Sequence, residues 1–148
     1  MGKIIVIDGL DGSGKATQAG LLSERLKNSG FEVRQVSFPD YESPASGALR
    51  MYLSGDFGKE PDSVNPYAAS TFFAVDRFAS FAKDWKEFYS GGGIIICDRY
   101  TTSNAVHQCS KLPENEWDGF LEWLFGFEYS LMGIPAPDCV ISERINRD

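Results

Sequence analysis

The chain is poor in the side chains that bind metals through nitrogen or sulfur. It has one histidine, His107, and three cysteines, Cys97, Cys109 and Cys139, which lie far apart and form no C-x-x-C pair. That spacing excludes a zinc site and reads as buried thiols in a reducing compartment. Positive charge is also scarce, with 14 Lys and Arg against 21 Asp and Glu for a net charge of −7. Such a chain repels the phosphates of DNA and RNA, so no nucleic-acid partner is expected. A small anion remains possible, because a few local cations and backbone N–H groups suffice to hold one. No apolar run is long enough to cross a bilayer. No signal peptide opens the chain, since Ile4–Ile7 is cut short by Asp8. The expectation is a cytoplasmic protein with no membrane partner. Repeats and low-complexity linkers are absent as well.

What is present is ample core material: 43% of the 148 residues are hydrophobic, enough for one domain spanning residues 1–148. Lys3–Asp8 is a β-branched run that reads as a buried parallel strand. Leu21, Leu22 and Leu26 recur at helical spacing between Lys15 and Ser29, and Gly30 stops that helix. Glu32–Phe38 alternates as a second strand. Ser43-Pro44 and Asn65-Pro66 are cap-plus-proline signals that open helices, the first to about Leu53 and the second, rich in aromatics, to about Tyr89. After Gly91–Gly93 come a strand at Ile94–Cys97, helices at Ser103–Ser110 and Glu114–Tyr129, and a short strand at Cys139–Ile141. Strands alternating with helices predict an α/β domain with a parallel sheet. The strand order does not follow from the pattern.

The chemistry begins at Gly9-Leu10-Asp11-Gly12-Ser13-Gly14-Lys15, which fits G-x-x-x-x-G-K. The glycines let the backbone curl so that successive N–H groups face phosphate oxygens. The following helix contributes its positive end, and the lysine reaches the outer phosphates. A preceding buried strand and a following helix distinguish this from an ordinary glycine-rich turn. The pattern wants Ser or Thr next, to ligate Mg²⁺, but Ala16 stands there, with Thr17 one position on and about 100° round the helix. Asp98, which ends the strand Ile94–Cys97, is the candidate to organise Mg²⁺ instead. The alternative for Asp98 is a solvated strand end.

Gly9–Gln18, Phe38-Pro39-Asp40, Asp76-Arg77 and Asp98-Arg99-Tyr100 occur in that order, followed by Ser103 and Gln108. This set resembles the thymidylate kinase family of P-loop nucleoside monophosphate kinases, from residue 3 to about residue 141. The resemblance implies a three-layer P-loop kinase sandwich, a parallel sheet flanked by helices, in a homodimer. It also implies transfer of the ATP γ-phosphate to dTMP, giving dTDP, with Mg²⁺. It places Lys15, Asp98 and Arg99 in catalysis and Asp98 at the metal. Gly9, Asp11, Gly12, Ser13, Gly14, Lys15, Ala16 and Thr17 would surround the ATP phosphates. On the acceptor side, Asp11 would approach the sugar 3′-hydroxyl, Phe73 would stack on thymine, Arg77 would bond its edge and Arg99 would bridge the phosphates. Phe38, Ser103, His107 and Gln108 would complete the nucleoside pocket, with His107 beside the sugar.

Taken singly, these residues have plainer readings. Phe73 lies among Phe72, Phe78, Phe81 and Trp85 and could be core. Arg77 and Arg99 follow acidic residues and could be surface ion pairs. Two departures from the family stand out. An arginine expected just after Phe-Pro-acid is Tyr41, with Arg50 as a possible substitute, and Ser142–Asp148 does not resemble the acidic strand end expected there. The lid, the fifth strand and the adenine loop have no counterpart. The expectation is therefore a C-terminally truncated member, with last strand and lid missing, that binds nucleotide and transfers phosphate poorly. Rival readings are another nucleotide or deoxynucleoside kinase, or a nucleotide-binding fragment without turnover. A GTPase lacks its N-K-x-D motif here. A protein kinase lacks its H-R-D loop, although Asp56-Phe57-Gly58 spells one of its motifs.

Overall fold

The computed structural model describes residues 1–9 and 14–142, which form two compact units. The first comprises the described residues of Met1–Phe38, Asp84–Tyr100 and Pro135–Asp148, and the second Pro39–Lys83 and Thr101–Ile134.

The first unit is built on four parallel strands: β1 (Lys3–Asp8), β2 (Val33–Ser37), β3 (Ile94–Asp98) and β4 (Cys139–Ser142). Their order is β2-β3-β1-β4. The continuous apolar runs of β1 and β3 suit the two central positions, where both neighbours are strands. The pairing of β1 with β3 sets Ile7 level with Asp98, so both strands end at the same sheet edge. Helix α1 (Lys15–Asn28) returns across the sheet, where Ala19 packs with Ile7, Val33, Ile94 and Ile96 and with the partly buried Leu22 and Leu26. Leu21 does not share that face, being 56% exposed. Small residues, Ala19 and Ser23, take the buried positions instead. Edge strand β4 is anchored by Asp138, which accepts from Ile4 N at 2.8 Å and whose own N–H donates to Ile4 O at 2.9 Å.

Helices make up the second unit. Helix α2 (Gly47–Leu53) follows a tight turn at Pro44–Ser46, and α3 spans Pro66–Ser80. Both expected caps form: Ser43 Oγ accepts from Ala45 N at 3.2 Å and Asn65 Oδ1 from Ala68 N at 2.9 Å. The long aromatic helix does not run unbroken to Tyr89. A π-type turn at Phe81–Trp85 separates α3 from α4 (Lys86–Ser90), which belongs to the first unit. Such a turn inserts one residue into the helical register, and Trp85 at that step is fully buried. Helix α5 spans Thr101–Cys109 and starts two residues ahead of the predicted Ser103. Helix α6 (Trp117–Phe125) runs into a second π-type turn, Gly126–Leu131, which buries Glu128 completely. Ala105, Cys109, Phe120 and Leu124 form the core between α5 and α6.

Cys97 and Cys109 are buried as expected, and Cys139 is exposed on the edge strand. Among the described residues no helix is long and apolar enough to cross a membrane.

Candidate active site

In the first unit the strand order brings the phosphate-loop lysine to the acidic strand end. Lys15 opens α1 directly after β1 and its loop, and Asp98 closes the adjacent β3. Their side chains meet with Lys15 Nζ 3.0 Å from Asp98 Oδ1. Gly14 holds the turn before Lys15 at φ +89°, a left-handed conformation that glycine adopts without a Cβ penalty. Lys15 is 7% exposed, so its charge sits in a poorly hydrated pocket rather than in bulk water. Ala16 and Thr17 are exposed on α1. Asp11, Gly12 and Ser13 lie outside the described residues.

Arg99, the residue after Asp98, has φ +66° and is the one non-glycine residue with positive φ among those described. Its N–H donates to Ile7 O at 3.0 Å, which ties this turn to the end of β1. A bulky residue held in a left-handed conformation is a strained position of the kind that gathers at functional sites. Glycine relieves that strain and alanine does not. Arg99→Gly should therefore be more stable than Arg99→Ala by about 1 kcal/mol in denaturant melts, although both lose the same guanidinium. Equal stabilities would mean that the backbone here is not strained.

Phe38 is buried in the same unit, its ring 5.9 Å from that of Tyr100, and Phe38 N donates to Asp98 O at 3.1 Å. Tyr100 OH in turn donates to Pro135 O at 2.7 Å. Phe38 thus braces the turn that carries Asp98 and Arg99.

The second unit gathers the remaining candidates on α3 and α5. Phe73 and Arg77 are one helical turn apart on α3. Phe73 is half-buried and, with Tyr52, His107 and Lys111, lines a cavity of about 430 Å³. The Phe73 and Tyr52 rings meet edge to face at 6.2 Å. His107 is exposed at this wall, and its pKa is lowered by partial desolvation and then by the Lys111 ammonium, which favours the neutral ring. Lys111 donates to Tyr52 OH at 2.7 Å. Ser103 is half-buried on α5. Gln108 is fully buried and donates through Nε2 to Asn104 Oδ1 at 3.2 Å, and Asn104 Nδ2 donates to Ser70 Oγ at 2.9 Å. Gln108 Oε1 is buried without a hydrogen bond.

Arg77 is not at the surface. It is 2% exposed, and its guanidinium grips Glu128 with two bonds, Nε to Oε2 at 3.0 Å and Nη2 to Oε1. Thr101 Oγ1 donates to Glu128 Oε2 at 2.5 Å. The neighbouring Asp76 is also buried and accepts from Asp40 N at 3.1 Å. Burial raises the Asp76 pKa, with the Asp40 N–H and the Arg77 charge opposing that rise. The sequence reading missed Glu128, Asn104, Thr101 and Lys111. Glu128 left one signal, a lone carboxylate inside the apolar run Leu124–Leu131.

Against this geometry the comparisons are consistent with one another. A profile of the thymidylate kinase family matches residues 7–146. A thymidylate kinase of Mycobacterium tuberculosis is 35% identical over 136 residues, covering 91% of this chain and 62% of that protein. One from Plasmodium falciparum is 33% identical over 115 residues, covering 78% of this chain and 52% of its own length. Among solved structures, a thymidylate kinase of Candida albicans, described as revealing the origin of broad substrate specificity and a novel structural element, superposes with a TM-score of 0.71. It shares 25% identity and covers 99% of this chain and 64% of its own. The chain spans less than two thirds of the length of these relatives.

Proposed function

The chain belongs to the thymidylate kinase family, and from that premise we propose that it serves phosphoryl transfer from MgATP to dTMP, giving dTDP and ADP. The observation that carries the reading is the approach of Lys15, which opens α1 behind a G-x-x-x-x-G-K loop, to within 3.0 Å of Asp98, which closes the strand adjacent to β1.

The donor phosphates would lie against the loop N–H groups and the N-terminus of α1, where helix dipole and ammonium favour negative charge. Lys15 is already desolvated and held by Asp98, so it offers a cation that needs little reorganisation as charge shifts to the leaving oxygen. Arg99 would supply a second cation to the transferring phosphoryl group. The acceptor base would enter the second unit's cavity, with Phe73 beneath its face and Arg77 at its edge.

The side chains fit Mg²⁺ through one carboxylate. Asp98 Oδ1 is buried beside the Lys15 ammonium, 3.0 Å away, and no group of three His, Cys, Asp or Glu side chains gathers among the described residues. An ion that keeps most of its waters and binds chiefly through phosphates needs no larger protein cage, so Ala16 is compatible with it. Asp98 would hold it, and when bound it would neutralise phosphate charge.

The test is ADP release in a coupled assay with ATP and a panel of nucleoside monophosphates, alongside binding of each nucleotide to Phe73→Ala. Turnover or binding should be best with dTMP. Base–aromatic stacking is worth roughly 1–3 kcal/mol, so Phe73→Ala should weaken dTMP about tenfold and leave ATP unchanged. A variant that merely melts earlier, with dTMP affinity intact, would make Phe73 a core residue.

A further inference from the structure

We infer that Glu128 is a positioning residue that fixes Arg77 as a one-edged hydrogen-bond donor, and so sets the preference for a pyrimidine with a carbonyl rather than an amino group at C4. The inference rests on the reading of Arg77 as the base-edge contact and adds the group that orients it.

A guanidinium carries five N–H donors on three nitrogens in a rigid plane. In this chain two of the three nitrogens, Nε and Nη2, are engaged by Glu128, and both bonds lie along one edge of the plane. The carboxylate is itself fixed. It is fully buried, sits in the π-type turn Gly126–Leu131, and receives the Thr101 hydroxyl at 2.5 Å on Oε2. Thr101 opens α5 and is itself fully buried. The pair therefore cannot rotate as a unit without breaking the buried Thr101 hydrogen bond, which is expensive to leave unmade.

What remains of the fork is its other edge, the two N–H groups of Nη1 and the second N–H of Nη2, which neither bond engages. Nη1 carries N–H groups and no acceptor, whatever the pH. A base carbonyl can pair with such an edge. An exocyclic amino group is also a donor and would leave both partners unsatisfied, the mismatch that sites built on hydrogen bonds reject most strongly. Without Glu128 the guanidinium could turn or recede, and the distinction would blur. A carboxylate that served packing alone would have no reason to influence this choice.

The experiment measures dissociation constants for dTMP, dCMP and ATP by calorimetry in the unaltered chain, Glu128→Gln, Thr101→Val and Arg77→Lys, with a thermal melt of each. Gln keeps the shape and an acceptor while removing the charge, and Thr101→Val keeps the charge while freeing one oxygen, so loss of folding in one variant leaves the other informative. The expected result is a preference for dTMP over dCMP that narrows about tenfold in Glu128→Gln, mostly through weaker dTMP binding. It should narrow less in Thr101→Val, with ATP affinity unchanged in both. If Arg77→Lys narrows the preference but both other variants keep it, Glu128 does not position Arg77 and the base-edge reading stands. If Arg77→Lys leaves the preference intact as well, the base-edge reading fails and the inference fails with it.

Discussion

Lys15→Met should weaken ATP binding about 100-fold while lowering the melting temperature little. A charge-assisted hydrogen bond is worth roughly 1.5–3 kcal/mol, and the upper end applies because Lys15 is 7% exposed. One further consequence acts in the same direction. Asp98, left without the ammonium at 3.0 Å, becomes an uncompensated negative charge facing an anionic ligand. Methionine fills the aliphatic space of the lysine stem, so the loop is not emptied. The cost to folding stays small because the Asp98 side chain is 31% exposed and can be solvated once its partner is gone. Calorimetric titration with ATP, read beside a thermal melt, separates the effects. An ATP affinity within a factor of about three of the unaltered chain would remove Lys15 from the phosphate site and the phosphate-loop assignment with it.

This residue was legible in the sequence because its chemistry is local. The loop pattern, the preceding strand and the following helix lie within Lys3–Asn28, and periodicity suffices to find them. Its relation to Asp98 was legible only in part. Asp98 could be placed at a strand end and Lys15 at the start of the helix after the loop, but their approach depends on β1 and β3 being neighbours, and strand order is a matter of long-range pairing. The two π-type turns were invisible for a related reason. The aromatic helix has no glycine or proline at Phe81–Trp85, and the extra residue there is compensated by packing that buries Trp85 rather than by any local preference. Leu21 shows the limit of counting apolar residues, because the buried face of α1 is made by the small residues Ala19 and Ser23. The candidate site divides in the same way. Gly9, Gly14, Lys15 and Asp98 could be named from spacing and chemistry. Phe73, Arg77, Arg99, Ser103, His107 and Gln108 stood out only jointly, through a family pattern. Glu128 was missed because its partner is 51 residues away in sequence.

Arg77→Met should destabilise the chain by about 3–5 kcal/mol, the usual cost of stranding one charge of a buried pair. The geometry places this pair at the expensive end. Arg77 is 2% exposed and Glu128 fully buried, so water cannot replace the lost partner. The Thr101 hydroxyl still donates to Glu128, but one neutral hydrogen bond does not offset a desolvated carboxylate. Asp76 should respond too. Its pKa is already raised by burial, and the Arg77 charge is one of the influences holding it down, so removing that charge raises it further. Because the folded state then binds the Asp76 proton more tightly than the unfolded chain, the variant should recover stability as pH falls toward the unfolded carboxylate value near 3.8. For a chain of this size the loss corresponds to a drop of about 10 °C or more in melting temperature at neutral pH. Arg77→Met/Glu128→Gln should return at least half of it, since the amide is uncharged and still accepts from Thr101. The double-mutant cycle then gives a coupling of about 2 kcal/mol or more between positions 77 and 128. Additive effects, or a single Arg77→Met variant that melts within about 2 °C of the unaltered chain, would mean that the pair contributes little to the fold.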